Sequence, residues 1–295
     1  MQTKWPRVPK LEGNHSLIRA MVSALLFCCM SSWAVRQPYQ GSASPTGDTL
    51  WLEANGLRLK TKIYPSARLS SHPVLIVVLH GDLPRPSYHY EFAHEAAVKM
   101  DDVVIAALLR PGYVDDTGDR SGGEQGLTTG DNYTPEVVDA VAQAVDLLKS
   151  KFHPVRTVLA GHSGGAAITG NVLGRWPSEV DAAFMVSCPC DLVAWRKHML
   201  QMQNDPIWLI PVKSLSPIDL ASKVPRSVRV RLLVGSEDPV ASAELSQHYA
   251  EVLRKHGDDV TLTIAPGLKH NILLEPVAFD GLGTLVETLK KDVQR

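Results

Sequence analysis

Four cysteines in 295 residues are too few for a disulfide-built scaffold, and their placement excludes a zinc cluster. Cys28 and Cys29 lie near the N-terminus, while Cys188 and Cys190 stand two apart with no second Cys/His group to complete a metal site. No internal repeat and no low-complexity tract occurs, so nothing suggests a fibrous or disordered chain. Positive charge is also scarce outside one end. Residues 1–34 carry Lys4, Arg7, Lys10 and Arg19 against Glu12, a net of +3, which leaves −4 for the remainder of a chain with formal net charge −1. Without a basic stripe, nucleic acid is not an expected partner. The apolar run at 20–30 is too short to span a bilayer comfortably.

Hydrophobic residues at 44% and charged residues at 21% are ordinary proportions, and the length suits one large α/β domain with a substantial core. The basic leg, the apolar run at 20–30 and the small residues Ser32 and Ala34 flanking Trp33 together read as an export signal over 1–34. A retained N-terminal anchor is the alternative. Residues 35–48, rich in proline, serine and glycine, read as a linker, and the folded domain is expected over 49–295. If the chain is exported, Cys188 and Cys190 could be oxidised to one another; two free buried thiols are the other reading.

Two short alternating runs at 49–54 and 57–64, joined at Asn55-Gly56, predict an antiparallel hairpin. Residues 74–79 are six consecutive apolar residues ending at His80-Gly81, the pattern of a strand buried on both faces. From there helical spacing at 88–100, 134–152, 241–256 and 276–293 alternates with strands at 102–109, 157–160, 180–187, 228–234 and 259–264. Such alternation predicts a doubly wound, mostly parallel sheet with helices on both faces. About forty residues, 188–226, read as an irregular insertion between two strands.

The run Val158-Leu159-Ala160-Gly161-His162-Ser163-Gly164-Gly165-Ala166 reads as strand, sharp turn and helix, with Ser163 at the apex of a G-x-S-x-G pattern. A serine hydroxyl at neutral pH is a poor nucleophile. It needs a base within hydrogen-bond reach and a third group to orient that base. Of eleven histidines, only His248, His256 and His270 follow the strand at 228–234. His248 and His256 fall on a helical run, whereas His270 sits in a turn-rich loop straight after the last strand and is the one placed to reach Ser163. The loop at 236–240 offers Glu237 and Asp238 as the acid. Asp238 is preferred because it precedes Pro239, where the loop turns into a helix; a helix cap is its bland alternative.

An oxyanion needs two backbone N–H donors. Gly164 follows the nucleophile, and the loop His80-Gly81-Asp82-Leu83 offers the N–H of Asp82, with Leu83 behind it. An ionised Asp82 side chain pointing inward would oppose the oxyanion, so it is expected to turn away or to pair with a neighbour such as Arg85. His80 and His162 are expected to hold these loops by hydrogen bonds.

With these five motifs in order, the sequence resembles the α/β-hydrolase superfamily from residue 49 onward, and the stretch from Leu109 to Gly122 looks like that of esterases and prolyl-oligopeptidase-like members. The resemblance implies a Ser163, His270 and Asp238 triad, acyl transfer to water through an acyl-enzyme, and no metal or other cofactor. It also implies that 188–226 caps the pocket, with Trp195, Met199, Met202 and Trp208 as an apolar lining, although for any one of these the core packing of two helices is the plainer account. Leu83, Tyr113 and Trp195 are the expected substrate contacts; Tyr133 and Arg110 are further ones. A small ester is the first substrate class. A prolyl-oligopeptidase-like peptidase or amidase is second; no propeller-length segment precedes residue 49, as such enzymes usually have. A non-catalytic binding module is third, against which the intact three residues argue.

Overall fold

A computed structural model describes residues 47–293. The expected signal segment and nearly all of the linker lie outside the described residues. Within them, β1 (Asp48–Ala54) and β2 (Leu57–Pro65) form the hairpin, and Asn55 and Gly56 both take the positive φ that its tight turn demands, 50° and 73°.

The chain then alternates through β3 (Val74–Leu79), α1 (Tyr88–Lys99), β4 (Val103–Leu108), α2 (Pro135–Phe152), β5 (Arg156–His162), α3 (Gly164–Arg175) and β6 (Ala182–Val186). It closes with β7 (Arg229–Gly235), α6 (Ala243–His256), β8 (Asp259–Ala265) and α7 (Pro276–Val293). The eight strands make one sheet in the order β1-β2-β4-β3-β5-β6-β7-β8. β1, β2 and β4 pair antiparallel and all later neighbours parallel.

The continuous apolarity of β3 is used on both faces. Leu75, Val77 and Leu79 join a core with α2, α3 and α6, while Val74, Ile76 and Val78 join a second core with α1 and α7. This α/β-hydrolase-like arrangement has its switch point between β3 and β5, where sequential strands begin to be added on the opposite side. A crevice opens beyond the carboxyl ends of strands at such a point, and Gly81 and Ser163 lie on either side of it.

The segment 188–226 is less irregular than the sequence suggests. It holds α4 (Leu192–Gln203), capped by Asp191 accepting from the N–H of Ala194, then a short helix α5 (Pro217–Leu220) and two single turns of 3₁₀ helix. Leu192, Trp195 and Met199 form the buried stripe of α4. Its helical period was hidden because Arg196, also buried, interrupts the apolar face.

Candidate active site

The turn at Ser163 is dictated by its glycines. A methyl group on Gly161 would collide with the backbone of Gly165, and one on Gly165 would collide with the carbonyls of Leu79 and His80. Ser163 itself takes φ 54° and ψ −119°, a sparsely populated conformation that costs on the order of 1–3 kcal/mol and must be held by its surroundings. Its N–H donates to Val186 O at 2.8 Å, and its carbonyl accepts from Ala166 and Ala167 at the start of α3.

Two later loops bring their side chains to this apex. His270, in the loop after β8, has Nε2 2.9 Å from Ser163 Oγ. Its Nδ1 lies 2.9 Å from Asp238 Oδ2 and 3.0 Å from Oδ1. Asp238, in the loop after β7, also accepts from the N–H groups of Val240 and Ala241 at 2.9 Å each. It therefore caps the turn and faces His270 at the same time. Burial pushes the Asp238 carboxyl up, but the His270 hydrogen bond and charge and the two amides outweigh it and hold the pKa below the usual carboxylate value. Glu237 is exposed, His248 is exposed on α6, and His256 bonds Asp258. None of these three belongs to the cluster.

The loop after β3 lies against the same turn: a methyl group on Gly81 would stand 3.0 Å from Ser163 Cβ. Among the described residues, neither the N–H of Asp82 nor that of Gly164 donates a hydrogen bond to the protein. The Asp82 side chain does not pair with Arg85. Its partner is Arg110, whose Nη1 donates to Oδ1 at 2.7 Å, and further donors are Tyr133 Oη at 2.7 Å, the Gly130 N–H at 3.0 Å and Tyr113 Oη at 3.2 Å. Arg85 lies three residues away on an exposed stretch, whereas Arg110 leaves the neighbouring strand β4 directly toward the loop. Burial raises the Asp82 carboxyl, yet Arg110, Tyr133 and the Gly130 amide bring it below its ordinary value. The carboxylate thus stays ionised but neutralised, next to Gly164, where a methyl group would collide with it.

Loop 110–133 is tethered in turn. Lys60, 2% exposed on β2, places Nζ 2.6 Å from Asp115 and 2.7 Å from Asp119. Nothing in the sequence marked this pair. Tyr113 and Trp195, expected against substrate, are each 2% exposed: Tyr113 bonds Asp82, and Trp195 Nε1 donates to Val240 O while its ring covers Gly130. They back the loops around Ser163. Leu83 is half exposed, Met199 and Trp208 are buried, and Met202 is exposed. Cys188 and Cys190 are joined as a disulfide at the root of α4.

Among the described residues no group of three or more His, Cys, Asp or Glu is placed to hold a metal ion, and no helix is long and apolar enough to cross a membrane.

A model of the prolyl oligopeptidase family matches residues 125–278, just over half of the chain and inclusive of Ser163, Asp238 and His270. No curated protein sequence matches it. Solved structures do. An acylaminoacyl peptidase from Pyrococcus horikoshii aligns with a TM-score of 0.60 at 15% identity, over 84% of this chain and 40% of its own length. Est1E from Butyrivibrio proteoclasticus, with ferulic acid bound, aligns with a TM-score of 0.61 at 15% identity, over 83% of this chain and 98% of its own length. A Pyrococcus furiosus esterase aligns with a TM-score of 0.61 at 18% identity, over 85% and 96% respectively. The chain therefore spans less than half the length of the acylaminoacyl peptidase and nearly the whole length of the other two.

Proposed function

This chain belongs to the prolyl oligopeptidase family, within the α/β-hydrolase fold, and from that premise we propose that it is a serine hydrolase cleaving carboxylic esters. The observation that carries the reading is the hydrogen-bonded series Ser163, His270 and Asp238, with 2.9 Å at each step. His270 Nε2 takes the proton as Ser163 Oγ attacks the acyl carbon. The N–H groups of Gly164 and Asp82 receive the developing oxyanion, and Asp238 orients the imidazole and stabilises its charge. Collapse expels the alcohol with the proton returned from His270. Water then repeats the sequence on the acyl-enzyme and releases the acid.

The ester reading is supported by the end-to-end likeness to a protein named as an esterase and to one holding ferulic acid. A peptidase reading is supported by the family match itself. The residues 188–226, which cover Gly130 through Trp195, are proposed as a cap that selects the acyl group. An export signal over 1–34 and a linker over 35–48 remain proposals resting on the sequence pattern.

The test compares p-nitrophenyl acyl esters with aminoacyl and prolyl anilides, using Ser163→Ala as the blank. Faster ester cleavage is expected. Faster anilide cleavage would reverse the order of the two readings, and no cleavage of either above the blank would remove both.

A further inference from the structure

His162 fills the variable position before Ser163 and is 4% exposed. Its Nε2 lies 3.0 Å from His270 O, and its Nδ1 lies 2.8 Å from Tyr88 Oη. Tyr88 Oη in turn accepts from the N–H of Gly81 at 2.5 Å. Both ends of this series have fixed polarity, since a carbonyl only accepts and an amide N–H only donates. His270 O therefore requires a proton on His162 Nε2. The neutral ring then has a bare Nδ1, which accepts the Tyr88 hydroxyl proton, and the Tyr88 oxygen is left to accept from Gly81. One tautomer satisfies all four groups. Burial, followed by the nearby His270 charge, brings the His162 pKa down to about 3, which keeps the ring in that neutral form.

The two ends belong to different parts of the proposed reaction. His270 is the base. Gly81 precedes Asp82, whose N–H is the proposed second oxyanion donor, and Gly81 packs on Ser163 itself. The His270 carbonyl also accepts from Ser187 Oγ and from the Ile272 N–H at 3.0 Å each, but neither of those donors reaches the Gly81 loop.

We infer that Tyr88 and His162 are positioning residues, a directional hydrogen-bonded strut that sets the base loop and the oxyanion loop at a fixed separation across Ser163. The inference rests on the serine-hydrolase reading. Neither side chain touches the reacting atoms. Their effect is on the alignment of groups that do, and a small misplacement of such groups is costly even when it originates away from the chemistry.

The experiment uses the full chain, wild type and with Tyr88→Phe, His162→Gln and both together. Reaction of wild-type Ser163 with a fluorophosphonate first establishes the parent reading; if the folded wild type is inert, that reading fails on its own. For the strut, Tyr88→Phe is expected to lower kcat on a p-nitrophenyl ester about tenfold with KM within about twofold. The double variant is expected to be no slower than His162→Gln alone, because the two residues act in series. Nitrogen-15 NMR of the histidine rings is expected to find His162 neutral and protonated on Nε2 in the wild type, a readout independent of turnover. Wild-type kcat in Tyr88→Phe, multiplicative losses in the double variant, or a His162 ring protonated on Nδ1 would each overturn the strut.

Discussion

His270 Nε2 stands 2.9 Å from Ser163 Oγ although the two are 107 positions apart in the chain. Only the parallel packing of β5, β6, β7 and β8 brings the loops after β5 and β8 to one edge of the sheet. Exchange of His270 for Ala removes the proposed base without touching that packing. Turnover of a p-nitrophenyl ester is expected to fall by on the order of 10⁶-fold, with the thermal unfolding midpoint little changed. Full activity in this variant would mean that another group takes the proton.

Asp82 and Arg110 form a buried pair that joins the loop after β3 to loop 110–133. Asp82→Ala leaves the Arg110 guanidinium buried without its carboxylate and strips acceptors from Tyr133, Tyr113 and Gly130. Removing one partner of such a pair costs roughly 3–5 kcal/mol. Urea unfolding is expected to show a loss of that size together with reduced activity. A loss under about 1 kcal/mol would mean that the pair is offset by water or by loop rearrangement.

Three buried histidines make the fold sensitive to mild acid. Burial, the largest cause in each, brings His89 and His162 down to about 3 and His80 well below its ordinary value of 6.5. The unfolded chain then binds protons near pH 6.5 that the folded chain refuses until far lower pH. Stability contributed by the neutral rings is complete above about pH 6.5 and declines as pH falls toward the folded-state values. Each ring adds up to about 1.4 kcal/mol per pH unit. His80 and His162 also hold bonds that need a bare nitrogen, from the Arg110 N–H and the Tyr88 hydroxyl respectively. Among the described residues, His89 has no hydrogen-bond partner on either nitrogen, so His89→Leu removes one titration without removing a bond seen there. Urea midpoints measured from pH 7 to pH 5 are expected to fall steeply in the wild type and less steeply in His89→Leu. Equal slopes would contradict the assignment.

Much of this arrangement was legible in the residues, for physical reasons. The six apolar residues at 74–79, mostly β-branched, fitted a strand covered on two faces, and the Gly161-x-Ser163-x-Gly165 pattern needs glycines where backbones cross so closely. His270 and Asp238 were identifiable because each follows a strand end in a turn-rich loop. Most of the support around them was not. The Asp82–Arg110 and Lys60–Asp115 pairs join residues 28 and 55 positions apart, and a buried ion pair leaves no periodicity in the sequence. His162 was expected to hold the loops around Ser163 by hydrogen bonds and does so, but its partner Tyr88 lies 74 positions away and on sequence alone reads only as a residue of a helix. The extent of helix α4 was not legible because its buried face contains Arg196, whose guanidinium is satisfied by the carbonyls of Thr129, Ile207, Trp208 and Ile210.

The serine-hydrolase proposal requires Ser163 to be a nucleophile activated in place. Treatment of the folded, full-length protein with a fluorophosphonate, followed by peptide mapping, tests it most directly. A single adduct on Ser163 is expected, absent in Ser163→Ala and formed far more slowly in His270→Ala. A folded wild-type protein that takes up no label, or takes it up on another residue, would contradict it.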